Sequence, residues 1–142
     1  EAGGRSLIFT GVSVGNPHCV VFKPTGESWS REDLLALGPA LEHHKLFPKR
    51  TNVQLVVPTG RNEVFILIWE RGAGETQASG SSSCAAASAA VRLGLVRSPV
   101  TVKMPGGVLN IDVAPDFSLT MKGPVAEVAR GTVSPSFIRG LK

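Results

Sequence analysis

The chain has 142 residues, 42% hydrophobic and 18% charged, which fits one domain with a real core and leaves no low-complexity segment. Its net charge of +4 is scattered, tyrosine is absent, and basic and aromatic residues do not interleave, so nucleic-acid binding has little support. No apolar run is long enough to span a membrane, and the pair Cys19 and Cys84 makes no disulfide framework, which points to a reducing cytoplasm. The mild cationic cluster of Lys45, Lys49 and Arg50 reads as solvated side chains. The opening at Glu1 rather than Met fits a processed chain or a fragment.

In chain order, residues 6–14 are rich in Ile, Phe, Thr and Val and read as a strand, broken by Gly15-Asn16-Pro17 and resumed at 19–22. Ser30 and Asp33 form the signature of a capping box. The helix they start carries Leu34, Leu35 and Leu37, with an interruption expected at Gly38-Pro39 and a further turn or two to His44. Residues 52–57 and 63–69 read as a hairpin joined by a turn at 58–62. A helix is expected over 81–95, with small apolar side chains nearly all round from Ala85 to Ala90, which marks it as buried. Short strands follow at 100–104, 108–113, 117–121 and 125–133, separated by Pro-Gly, Pro-Asp and Gly-Pro turns. The pattern predicts a single α+β domain over 1–142, a strongly curved mixed or antiparallel sheet wrapped around one central helix.

The chemistry gathers in a few places. The apolar strand before Glu70 and Arg71 delivers a carboxylate and a guanidinium to its end, and a glycine-rich turn, small hydroxyl residues and a helix follow. Such a turn offers backbone N–H groups and the positive end of a helix dipole, so a small carboxylate or phosphate is expected over Gly80 to Ser82. Arg71 can clamp a distal carboxylate in bidentate fashion, and Glu70 can receive an ammonium or orient a proton-transfer residue. The bland alternative is a salt-bridged strand end beside a capped helix. Asn16 offers an amide at a strand break and His18 a proton carrier, or else a turn and a satisfied core histidine. Asn52 opens a strand and by itself reads as a turn residue. His18, Cys19, His43, His44 and Cys84 lack zinc-ligand spacing, and Gly80-Ser81-Ser82-Ser83-Cys84 is no nucleophile elbow.

At these residues the chain resembles the C-terminal half of diaminopimelate epimerase, over essentially its whole length. The resemblance rests on Gly15-Asn16-Pro17-His18-Cys19-Val20, Phe47-Pro48-Lys49-Arg50-Thr51-Asn52, Glu70-Arg71-Gly72-Ala73-Gly74-Glu75-Thr76-Gln77 and Pro105-Gly106-Gly107. It implies two pseudo-symmetric halves with the substrate in the cleft between them. It also implies a cofactor-independent amino-acid epimerase or racemase, converting LL- to meso-diaminopimelate for lysine and peptidoglycan precursors, without pyridoxal phosphate or a metal. Asn16, Asn52, Glu70 and Arg71 match substrate-contacting positions. Gly80 and Ser81 match the backbone site for the substrate α-carboxylate, and His18 and Glu70 match groups that assist proton transfer. The expected partners are the amino-acid substrate and an N-terminal half of the same fold, and a homodimer is compatible with the resemblance.

Such enzymes use two thiols, one on each face of the α-carbon. One belongs to the missing half and the other to position 79, where this chain has serine. A serine hydroxyl is far less acidic than a thiol, so Ser79 does not simply substitute as a base. An engineered swap and natural divergence both explain it, and the departures at Ser82 and Ser83 favour divergence. Cys84 lies a turn into the helix and reads as packing. The isolated chain is therefore expected to be inactive, and a small-molecule binding or structural domain is the alternative reading.

Overall fold

The computed structural model describes residues 1–141. Strands β1 (Phe9–Ser13), β2 (Pro17–Phe22), β3 (Asn52–Gly60), β4 (Glu63–Glu70), β5 (Gly74–Thr76), β6 (Val100–Met104), β7 (Gly107–Val113) and β8 (Leu119–Lys122) join in one sheet. Its order is β1-β2-β3-β4-β6-β7-β8, with β5 added to the end of β4. Helices α1 (Arg31–Glu42) and α2 (Gly80–Arg92) connect the two parallel pairs, β2 with β3 and β4 with β6, while neighbouring strands elsewhere are antiparallel. The mixed sheet follows from this connectivity, because parallel neighbours need a crossover and a helix supplies it.

Each face of the sheet carries its own core. On one face α2 presents Ala85, Ala86, Ala87, Ala89 and Ala90, all buried, to Val20, Val56, Ile66, Ile68, Val102 and Ile111. The helix packs against β1, β2, β3, β4, β6, β7 and β8, so the sheet does curve around it. On the other face Leu34, Leu37 and Leu41 of α1 pack with Cys19, Val21, Val53, Leu55 and Val57. The alternation along β2 and β3, successive side chains facing opposite sides, is what lets one strand serve both cores.

Local chemistry sets the element ends. Ser30 caps α1 as expected: its Oγ accepts from the Asp33 N–H, and the Asp33 carboxylate accepts from the Ser30 N–H. Gly15 adopts φ 99° in the β1–β2 turn, a conformation that favours glycine. Pro17 is the first residue of β2, where its missing N–H costs least.

The elements depart from the sequence reading in several places, among them β5, which lies where a glycine-rich turn is expected, and the end of α2 at Arg92 rather than at 95. Gly38-Pro39 does not interrupt α1, which continues to Glu42. The reason is tertiary: Gly38 lies against the Trp69 ring, where an added Cβ would sit 2.5 Å from Cδ2, so the glycine serves packing rather than a break. The strand β3 runs on through Pro58 to Gly60, which leaves a tighter turn than 58–62. Residues 125–133 form no strand. Val125 is 97% and Val128 96% exposed, because no strand partner is offered to them. Beyond them a short helix, α3 (Pro135–Arg139), appears without a sequence-level expectation.

Candidate active site

The candidate residues meet at one end of the sheet. His18 in β2 pairs in register with Asn52 in β3, and the antiparallel β4 ends beside them with Glu70 and Arg71. Asn52 locks the corner. Its Nδ2 donates to the Pro17 carbonyl at 2.9 Å, and its Oδ1 accepts from the Arg71 N–H at 3.0 Å. Asn52 is thus more than a turn residue: its amide welds the starts of two parallel strands to the end of a third.

Asn16 Oδ1 lies 2.9 Å from His18 Nε2. His18 is 1% exposed, so burial holds its pKa below the ordinary value. Gln54 and the Glu70 carboxylate pull the other way, and Arg71 reinforces the depression. The imidazole is therefore neutral near neutral pH, poised to take up a proton rather than to carry a fixed charge.

The salt bridge of the bland alternative does not form at the strand end. Among the described residues, Glu70 and Arg71 make no ion pair, and the Arg71 guanidinium donates to the Lys49 carbonyl at 3.2 Å. Arg71 is exposed and Glu70 half-buried.

Helix α2 points its N-terminus to the same end. Gln54, two residues beyond Asn52, donates from Nε2 to Ser82 Oγ in the first turn of the helix at 3.0 Å. Ser79 is the N-cap. Its Oγ accepts from the Ser82 N–H at 3.4 Å, and its carbonyl accepts from the Ser83 N–H at 3.1 Å and the Ser83 hydroxyl at 2.8 Å. The N–H groups of Gly80 and Ser81 find no acceptor among the described residues, which leaves them free for an anion. Beside them opens a cavity of about 240 Å³ lined by Ser79, Gly80, Met104, Gly106, Gly107 and Leu109 among others. Gly106 belongs here by necessity. Its N–H reaches the Gln77 carbonyl at 2.7 Å, and a Cβ on it would lie 2.7 Å from that same oxygen.

The two thiols do not supply a base. Cys19 is fully buried and its pKa is pushed up to about 12, while burial also raises that of Cys84. Both are free, and no group of three or more His, Cys, Asp and Glu that could hold a metal occurs among the described residues. No helix among them is long and apolar enough to cross a membrane. The sequence reading missed two buried polar residues that support the site, Glu42 and Gln54. Gln54 sits between Val53 and Leu55 in an apolar strand, the one signal that would have marked it as interior; Glu42, followed by His43, carries no such signal.

The arrangement places an arginine, a carboxylate, two amides, a neutral histidine and a helix N-terminus around one open end. That combination can hold a zwitterionic amino acid and neutralise negative charge that develops on its carboxylate. Comparison with known proteins bears on which such protein this is. The family model described as Diaminopimelate epimerase matches residues 10–128. The diaminopimelate epimerase of Desulfitobacterium hafniense is 42% identical over 133 residues, covering 94% of this chain and 46% of that protein. The diaminopimelate epimerase of Azotobacter vinelandii is 46% identical over 134 residues, covering 94% of this chain and 48% of that protein. The chain thus spans about half the length of the curated relatives it matches. Among solved structures, the phenazine biosynthesis protein of the PhzF family from Bacillus anthracis aligns with a TM-score of 0.56 at 14% identity, covering 81% of this chain and 38% of that one, a likeness of fold. On the extent of the family match and the level of identity, the chain belongs to the diaminopimelate epimerase family.

Proposed function

We propose that this chain forms the C-terminal half of the cleft of a cofactor-independent amino-acid epimerase acting in the cytoplasm on LL-diaminopimelate. The observation that carries the reading is the convergence of Asn16, His18, Asn52, Glu70 and Arg71 with the free N–H groups of Gly80 and Ser81. In this reading Arg71 and the two asparagines hold the substrate. The start of α2 receives its α-carboxylate and stabilises the enolate charge as the α-proton leaves. His18 and Glu70 orient the residue at position 79 and tune its proton affinity. A second half of the same fold, carrying its own thiol, closes the cleft from the opposite face.

Position 79 decides how much chemistry remains. A thiol at this N-cap would have its pKa lowered by the helix dipole, but the serine hydroxyl stays protonated there. The isolated chain therefore does not epimerise. Deuterium wash-in at the α-carbon of diaminopimelate in heavy water tests this, and exchange above background by the chain alone would refute it. In the full-length protein, Ser79→Cys should raise exchange if the upstream half carries its thiol. A second reading, a binding domain that keeps the pocket and has lost the base, is favoured by the commitment of Ser79 Oγ to capping the helix. No gain in exchange from Ser79→Cys, with diaminopimelate still bound, would select that second reading.

A further inference from the structure

Behind the site lies a carboxylate that the proposed chemistry does not use. Glu42 ends α1 and is 3% exposed. A buried carboxylate is expensive unless it is fully partnered. Here the partners are specific. Trp69 Nε1–H donates to Oε2 at 2.8 Å, the Gly72 N–H donates to Oε1 at 2.9 Å, and the Arg50 guanidinium lies 3.3 Å from Oε1. Those three donors bracket the site residues. Trp69 immediately precedes Glu70, Gly72 immediately follows Arg71, and Arg50 lies two residues before Asn52.

The backbone around the carboxylate explains why it is needed. Arg50 has φ 59° and Gly72 has φ 78°, so the chain turns through the left-handed region on both sides of the corner. One turn earlier on α1, Gly38 leaves the space in which the Trp69 ring lies, and the ring then presents its N–H to Glu42. Helix α1 thus seats Trp69 with one residue and anchors it with the next on the same face.

We infer that Glu42 is a positioning residue: its buried carboxylate holds the Glu70-Arg71 segment and the lead into Asn52 in the geometry by which Arg71 meets the distal carboxylate of the substrate. The inference rests on the proposed role of Arg71. The isosteric change Glu42→Gln is the sharpest probe, because one carboxylate oxygen becomes an NH₂ group that faces an N–H donor, and one donor loses its acceptor.

The test has two arms. In the first, hydrogen exchange of the Gly72 amide is measured on the chain by NMR. Glu42→Gln should speed it at least about tenfold, the loss expected for one hydrogen bond to a charged acceptor, while the Val53 and Leu55 amides stay protected. In the second, binding of diaminopimelate by the full-length protein is measured for Glu42→Gln, Arg71→Ala and the double variant. The double variant should bind no more weakly than Arg71→Ala alone, because Glu42 acts through Arg71. Should Glu42→Gln fail to fold, Glu42→Asp, which withdraws both oxygens by one methylene, is read in the same two arms. Unchanged Gly72 exchange overturns the inference, and so do losses in binding that simply add. Faster Gly72 exchange in a protein whose wild type binds no diaminopimelate supports the positioning role and overturns the functional proposal instead.

Discussion

The two faces of this sheet are covered by opposite means. On the α1 face, large side chains fill the space: Leu34, Leu37, Leu41 and Trp29, with Phe9, Phe47 and Trp69 packed around them. On the α2 face, the helix brings five buried alanines and the strands bring the bulk. A helix of methyl groups can be approached closely from many directions, so strands can surround it. A helix of leucines sits on one patch of sheet. The difference teaches where a site can be built. The enclosed helix delivers its N-terminus into the ring of strand ends, while the outer helix supports that ring from behind through Glu42.

This contrast can be broken most severely on the enclosed side. Ala87 is fully buried, so Ala87→Glu places an unpaired charge in the closed core and should cost several kcal/mol and unfold the domain. Circular dichroism would show it, and a thermal midpoint unchanged by the substitution would mean that α2 is not enclosed. On the α1 face, Leu37→Ala should cost about 2–5 kcal/mol and leave the protein folded, read as a lowered denaturant midpoint. Gly38→Ala is smaller in volume but more pointed. Its methyl group would meet the Trp69 ring, so a loss of about 1–3 kcal/mol is expected, together with a changed tryptophan fluorescence. A neutral outcome would show that α1 and β4 are free to separate at that point.

The smallest effect concerns the polar end of the enclosed face. Burial depresses the His18 pKa, so the unfolded chain binds a proton at a higher pH than the folded one. Stability from this group is complete above the unfolded value of 6.5 and falls as the pH drops through that of the folded state. Denaturant midpoints should therefore decline as the pH falls below about 6.5, and His18→Gln should flatten that part of the curve. The lowered carboxyl groups of Asp33 and Glu42 act at lower pH, below their ordinary values of 3.8 and 4.5, and so do not mask it. An equal decline in His18→Gln would assign the pH dependence elsewhere.

Much of this was legible in the residues, because the informative signals were local. The capping box at Ser30, the alanine run of α2 and the β3–β4 hairpin each depend on near neighbours in sequence, and each is present. The grouping of Asn16, His18, Asn52, Glu70 and Arg71 came from the family resemblance. In the fold it follows from parallel pairing that no local pattern states. The misreadings share one cause. Pro39 looked like a helix stop because the benefit of Gly38 lies on a distant strand. Residues 125–133 looked like a strand because β-branched propensity is silent about whether a partner exists. Glu42 and Gln54 looked unremarkable because a buried polar residue declares itself only through the donors and acceptors it meets.

The two parallel pairings also carry a consequence for how the chain reaches this state. β2 meets β3 only after α1 has been laid down between them, and β4 meets β6 only after α2. Each pairing closes a long loop before any contact offsets its entropy, which favours slow folding, on the order of milliseconds to seconds. Of the strands that enclose α2, β6, β7 and β8 follow it in the chain. Strands β1 to β4 can cover one side of the alanine helix as it forms, but its side toward β6, β7 and β8 stays uncovered until the last third of the chain has paired. The cavity beside the start of α2, lined in part by β6 and β7, is then among the last parts to be completed, and the first to be lost if the later strands come away.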